Sequence, residues 1–142
     1  MYAADLITPQ LGSFTLVKSF KREEMRKTAH GFGVTLLEKS NDAGVGDYRS
    51  DTVKSAVLSV YSFSTKETTD SIFDELETDM RRSRVWTVVR SIPTQHGKRI
   101  EGLGKLSGKS RGMVVWHNGY WLFMTIGDGL SEASSLADSV GY

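Results

Sequence analysis

The chain has 142 residues, 39% of them apolar and 25% charged, with no cysteine and a formal net charge of +1. That length suits one domain, expected over 1–142, with a core that needs no disulfide. The balanced charge assigns no partner class, and the absence of cysteine excludes disulfides, thiolate metal sites and cysteine nucleophiles.

No run approaches the roughly 20 apolar residues that cross a bilayer, so no transmembrane segment is expected. The opening "MYAADLITPQLGSF" lacks the basic and apolar regions of an intact signal peptide. An extracytoplasmic domain trimmed behind a signal would read the same way, so the sequence fixes no compartment.

In chain order, "SFTLVKSF" (13–20) alternates weakly and reads as a strand. The apolar spacing of two at Phe32, Val34 and Leu36 predicts another strand over 29–38. "NDAGVGDYRSD" (41–51) has the chemistry of a turn or mobile loop. "TVKSAVLSVYSFS" (52–64) is apolar on both parities, as a central strand covered on both sides would be.

The period then changes. Ile72, Phe73, Leu76 and Met80 form one helical stripe, predicting a long amphipathic helix over about 65–82. Ser64 and Glu67 have the spacing of a capping box. Acids fill the early and middle turns and Arg81, Arg82 and Arg84 close the end, complementing the helix dipole.

Four strand-like runs follow, at 84–92, 97–106, 111–117 and 120–127. The glycines of "GKRIEGLGKL" (97–106) predict an irregular or bulged strand. Asn118-Gly119 between the last two runs predicts a type I′ hairpin, with Trp116 facing Tyr120 across the turn. "LSEASSLADSV" reads as a short C-terminal helix over about 130–140. The expected fold is α+β, an antiparallel twisted sheet of about six or seven strands with helices packed against it.

Gly108-Lys109-Ser110 imitates the end of a phosphate-binding loop. The first glycine of that motif would fall at Leu103, and a strand, "MVVW", follows where a helix is required. His30, His96 and His117 are scattered without metal-ligand spacing, and His96 and His117 are expected in solvent. The carboxylates crowd one helix face, and no Gly-x-Ser-x-Gly elbow occurs. No cofactor is expected.

Two surfaces stand out. Between 81 and 111 lie nine basic residues and one acid, Glu101. Arg81, Arg82, Arg90, Lys98, Arg99, Lys105, Lys109 and Arg111 would hold a nucleic acid or other polyanion if they shared a face. The plainer alternative is that they scatter over several faces, some pairing with the acidic helix. Trp86, Trp116, Tyr120 and Trp121 form the second candidate, a partner site or ligand groove, against the alternative of core packing.

The order of strands, a long helix after "AVLSVYSFS", a meander and a last helix after "WLFMTIG" resembles the Mog1/PsbP-like fold over about residues 13–140. That group includes small accessory domains that bind proteins. The resemblance is one of architecture, implies an accessory role and carries over no site residue. The expectation is a non-catalytic binding or accessory domain with an unidentified protein partner. The alternatives are a small-molecule or lipid-binding domain with a cavity between helix and sheet, or a polyanion binder using 81–111.

Overall fold

The computed structural model describes residues 1–29 and 32–142, so His30 lies outside the described residues. Among these, eight strands occur: β1 (Gln10–Leu11), β2 (Phe14–Lys21), β3 (Asp42–Arg49), β4 (Ala56–Ser62), β5 (Trp86–Thr94), β6 (Gly97–Leu106), β7 (Lys109–Asn118) and β8 (Trp121–Gly127). They form one antiparallel sheet in the order β1-β2-β3-β4-β8-β7-β6-β5. The helices are α1 (Arg22–Met25), α2 (Phe32–Lys39), α3 (Lys66–Arg82) and α4 (Leu130–Ser139), after a 3-10 turn at Ala3–Leu6.

The path explains why β5 is an edge. The chain leaves the sheet centre at the end of β4, and α3 carries it across one face to the far margin. There β5 begins a second meander that returns inward until β8 pairs with β4, from Ala56 opposite Gly127 to Ser62 opposite Trp121. The fold is thus α+β, with eight strands where six or seven were expected and with helices on both faces.

Strand alternation divides the core in two. Met113 and Val115 of β7, Leu122 and Met124 of β8 and Ile100 of β6 face α3, where Phe73, Leu76 and Met80 close over them. Val114, Trp116 and Phe123 face the opposite way, toward Ala133, Leu136 and Ala137 of α4 and the 3-10 turn. The doubly apolar parity of the central strands is therefore satisfied by two helical layers.

Three local readings need correction. Residues 32–39 are helix, because Phe32 and Leu36 fit a helical i,i+4 spacing as well as a strand's, and Leu36 and Leu37 are both buried. Arg22 caps this helix, donating from Nη2 to the carbonyls of Leu37 at 2.8 Å and Ser40 at 3.1 Å. The glycine-rich 42–49 segment is a paired strand between β2 and β4. Its Gly46 has no side chain because a Cβ there would sit 2.7 Å from Ile7 and 2.9 Å from Leu16. The N-cap of α3 is Thr65, whose hydroxyl accepts from the Thr68 N–H at 3.0 Å, one residue after the expected Ser64.

The glycine-rich β6 is a continuous strand, and the bulge lies on its partner between Val88 and Arg90. Gly104 makes room for the Trp86 ring, which a Cβ would meet at 2.6 Å. Gly108 sits in the β6–β7 turn, where Ser107 at φ 52° and Gly108 at φ 78° both take the left-handed conformation a type I′ hairpin demands. The β7–β8 turn is different from the expectation. Asn118 pairs with Trp121, and the loop is Gly119-Tyr120 with positive φ at Gly119 alone, the type II′ pattern.

Candidate functional site

The alternation that builds the two cores also separates the cations of 81–111. Lys98 points toward α3 and reaches Glu77 at 3.4 Å, while Arg99, one residue on, points toward α4 and reaches Asp138 at 2.7 Å. Arg81 also pairs with Glu77, at 3.0 Å, and Arg111 pairs with Asp128. Arg90 grips Glu101 through two bonds, Nε to Oε1 at 3.0 Å and Nη2 to Oε2 at 3.1 Å, with Arg99 Nε on the same carboxylate at 3.1 Å. Burial alone would raise the Glu77 carboxyl, but the bonds from Arg81, Lys98 and Ser91 outweigh it and hold the group below its ordinary range. Donating to the Glu101 carboxylate raises the Arg90 pKa.

The candidate polyanion surface is thus split across the sheet and largely neutralised by internal acids. Arg82, Arg84, Lys105 and Lys109 have no ion-pair partner among the described residues. All are exposed. They lie at one end of the molecule, where α3 stops, β5 starts and β6 turns into β7.

The aromatic candidates divide likewise. Trp86 is buried in the α3-side core and Trp116 in the α4-side core. Trp116 stacks on Phe123 at 5.0 Å, not on Tyr120, and its Nε1 donates to the Tyr142 carbonyl at 2.8 Å. Trp121 packs against the same side, and Tyr120 stands exposed in the turn. These four residues share no surface.

His117, expected in solvent, is buried because β7 aims it under α3. Its ring stacks on Phe73 with centroids 4.2 Å apart. Nε2 accepts from the Lys98 N–H at 3.1 Å, which leaves the neutral-ring proton on Nδ1. Nδ1 lies 3.1 Å from Asp70 Oδ1, close but not aligned as a hydrogen bond. Burial lowers the His117 pKa, against an opposing pull from Asp70. His96, in the β5–β6 turn, is exposed as expected.

The clefts among the described residues include two. One, of about 260 Å³, lies beside the β5–β6 turn, bounded by His96, Arg99, Trp116, His117 and Asp138. The other, of about 410 Å³, lies between α1 and α2 and is bounded by Arg22, Arg26, Ala29, Val34, Leu37 and Glu38. Neither enters the space between α3 and the sheet, which Phe73, Met80, Ile100 and Met113 fill at no more than 1% exposure. Among the described residues, no group of three His, Asp or Glu side chains could hold a metal ion, and no helix is long and apolar enough to cross a membrane.

The feature that sequence reasoning missed is an apolar strip on the outer margin. α4 packs mainly on β7, β8 and β4, touches β6 only lightly, and does not extend over the outer margin. The parity of β5 and β6 that faces the α4 side is left uncovered there: Val85 is 48% exposed, Val89 53% and Leu103 46%. Leu103 pairs with Thr87, so these side chains flank one another across the two strands. The outer edge of β5 pairs with no strand of the sheet. The signal in "RVWTVVRSI" is that both parities are β-favouring. Which parity is covered depends on α4, some 40 residues later.

No protein-family model matches the chain, and no curated protein does either. Among solved structures, the crystal structure of a GTP binding regulator from Thermotoga maritima is similar, with a TM-score of 0.55 and 14% sequence identity over 97% of this chain and 81% of that one. At that identity the likeness is one of fold.

Proposed function

We propose that this chain is a non-catalytic binding or regulatory module that works through protein contacts, with the margin formed by β5 and β6 as its contact surface. The observation that carries this reading is the uncovered strip of Val85, Val89 and Leu103 beside an unpaired strand edge. Isolated exposed aliphatics need no explanation, but three on adjoining strands, bordered by polar residues, mark an interaction surface. The similar fold belongs to a protein described as a GTP binding regulator, and a regulatory role here is compatible with that. Nucleotide binding is not carried over, because Gly108 and Lys109 end one hairpin turn and begin a strand. The accessory domains of the Mog1/PsbP-like group suggest the same kind of role.

Photocrosslinking tests the reading. A Val89→benzoylphenylalanine variant in source-cell extract is expected to yield a discrete protein adduct, and a Val34→benzoylphenylalanine variant on α2 none. The same adducts from both positions, or none from position 89, would overturn it.

A further inference from the structure

The margin of β5 also carries information about the chemistry of its partner. Lys105 N–H donates to the Val85 carbonyl at 3.4 Å. Hydrogen-bonded and non-bonded pairs alternate along an antiparallel ladder, so the N–H and C=O groups of Trp86 and Val88 point away from β6. The Trp86 N–H is taken by Ser83 Oγ at 3.1 Å, which leaves the Trp86 carbonyl and both groups of Val88 open. Beyond them the bulge between Val88 and Arg90 and then Pro93 interrupt the edge. The open part of the edge is therefore its first half.

That half is flanked by the apolar strip on one side and by charge at its start. Arg82, Arg84 and Lys105 are exposed and make no ion pair among the described residues. Glu101 on β6 is committed to Arg90 and Arg99, and Asp128 to Arg111.

We infer that β5 accepts an extended acidic segment of a partner protein as a ninth strand along residues 84–88, a deepening that rests on the protein-contact reading above. The Trp86 carbonyl and the N–H and carbonyl of Val88 supply the main-chain bonds. Val85, Val89 and Leu103 take the alternate apolar side chains of the added strand, and Arg82, Arg84 and Lys105 take its carboxylates. A second copy of this chain fits poorly, since antiparallel pairing of two β5 edges about Thr87 would set Arg84 against Arg90. A nucleic acid also fits poorly, because the strip is aliphatic and offers no exposed ring for a base to stack on.

The probe is a short capped peptide alternating glutamate and valine, fluorescently labelled, with a lysine–valine peptide as control. Anisotropy measures binding, and amide hydrogen exchange locates it. The acidic peptide is expected to slow exchange at Val88 and to bind roughly tenfold or more tightly than the lysine peptide. The Arg84→Glu/Lys105→Glu variant, checked for an unchanged unfolding midpoint, is expected to lose a similar factor.

No binding overturns the inference. So does single-stranded DNA that protects this edge while the peptide does not, or a self-associating chain whose Val88 amide is protected before any peptide is added. A peptide that binds but slows exchange elsewhere overturns strand addition alone. Failure of the wider protein-contact reading shows separately, as the missing adduct from position 89.

Discussion

Phe73→Ala tests whether α3 is held to the sheet as described. Phe73 is fully buried, and its ring covers one face of His117 at 4.2 Å. Removing a buried phenyl ring costs about 3–5 kcal/mol through lost transfer energy and the cavity left behind. That is a large share of the ~5–15 kcal/mol that stabilises a typical domain. For a chain of this length roughly 3 °C of Tm is lost per kcal/mol, so a fall of about 10–15 °C is expected.

Urea unfolding followed by circular dichroism gives the energy. A proton NMR titration of His117 gives a second reading. Burial is what lowers the His117 pKa, so water entering the Phe73 site moves that pKa up toward the ordinary histidine value of 6.5. A loss below about 1 kcal/mol, or a His117 titration that does not move, would refute the packing described. Phe73→Leu, which keeps most of the volume but not the stack, is expected to fall between the two in both measurements.

The unmutated chain should show the linkage directly. The folded state holds the His117 proton less tightly than the unfolded state, so the contribution of this site to stability is full above pH 6.5 and lost as pH falls below it. Unfolding midpoints between about pH 7.5 and 5.5 should decline, and less so in His117→Gln. Gly97→Ala places a Cβ 2.5 Å from His117 Cε1 and Nε2. The ring must move and give up the Lys98 N–H, and thermal unfolding should register about 1–3 kcal/mol of destabilisation. Single-stranded DNA, titrated against salt, should meet at most the four unpaired cations Arg82, Arg84, Lys105 and Lys109. The slope of log K on log salt should then be shallower than about −3, whereas a joint face of all eight candidates would give about −6.

The parts of the fold legible in the sequence were those with a single period. The stripe Ile72, Phe73, Leu76 and Met80 gave α3 within a residue, and Leu136 and Ala137 lie buried in α4 where the last apolar run predicted a helix. Residues 32–39 defeated the reading because Phe32 and Leu36 satisfy helix and strand spacings equally. Asp42–Arg49 reads as a turn because of its glycines, yet Gly46 is there to admit Ile7 and Leu16 against the strand.

The candidate site depended more on distant contacts. Arg99 meets Asp138, 39 residues away, and Lys98 meets Glu77, 21 residues away, so the run of cations in sequence dissolves in space. His117 looked solvated because it precedes a turn, and only the placement of Phe73 over it shows otherwise. Val85, Val89 and Leu103 looked like ordinary strand residues, and what distinguishes them is the point at which α4 ends.

The central claim is that this last strip is a contact surface and not part of the core. The Val89→Thr/Leu103→Thr variant keeps strand-forming residues while removing apolar surface, and it can be tested for unfolding midpoint and for crosslinking from Val85→benzoylphenylalanine in the same background. The account predicts a midpoint within about 1 kcal/mol of the parent chain together with loss of the protein adduct. A midpoint lowered by more than about 2 kcal/mol, or an adduct formed as efficiently as before, would contradict it.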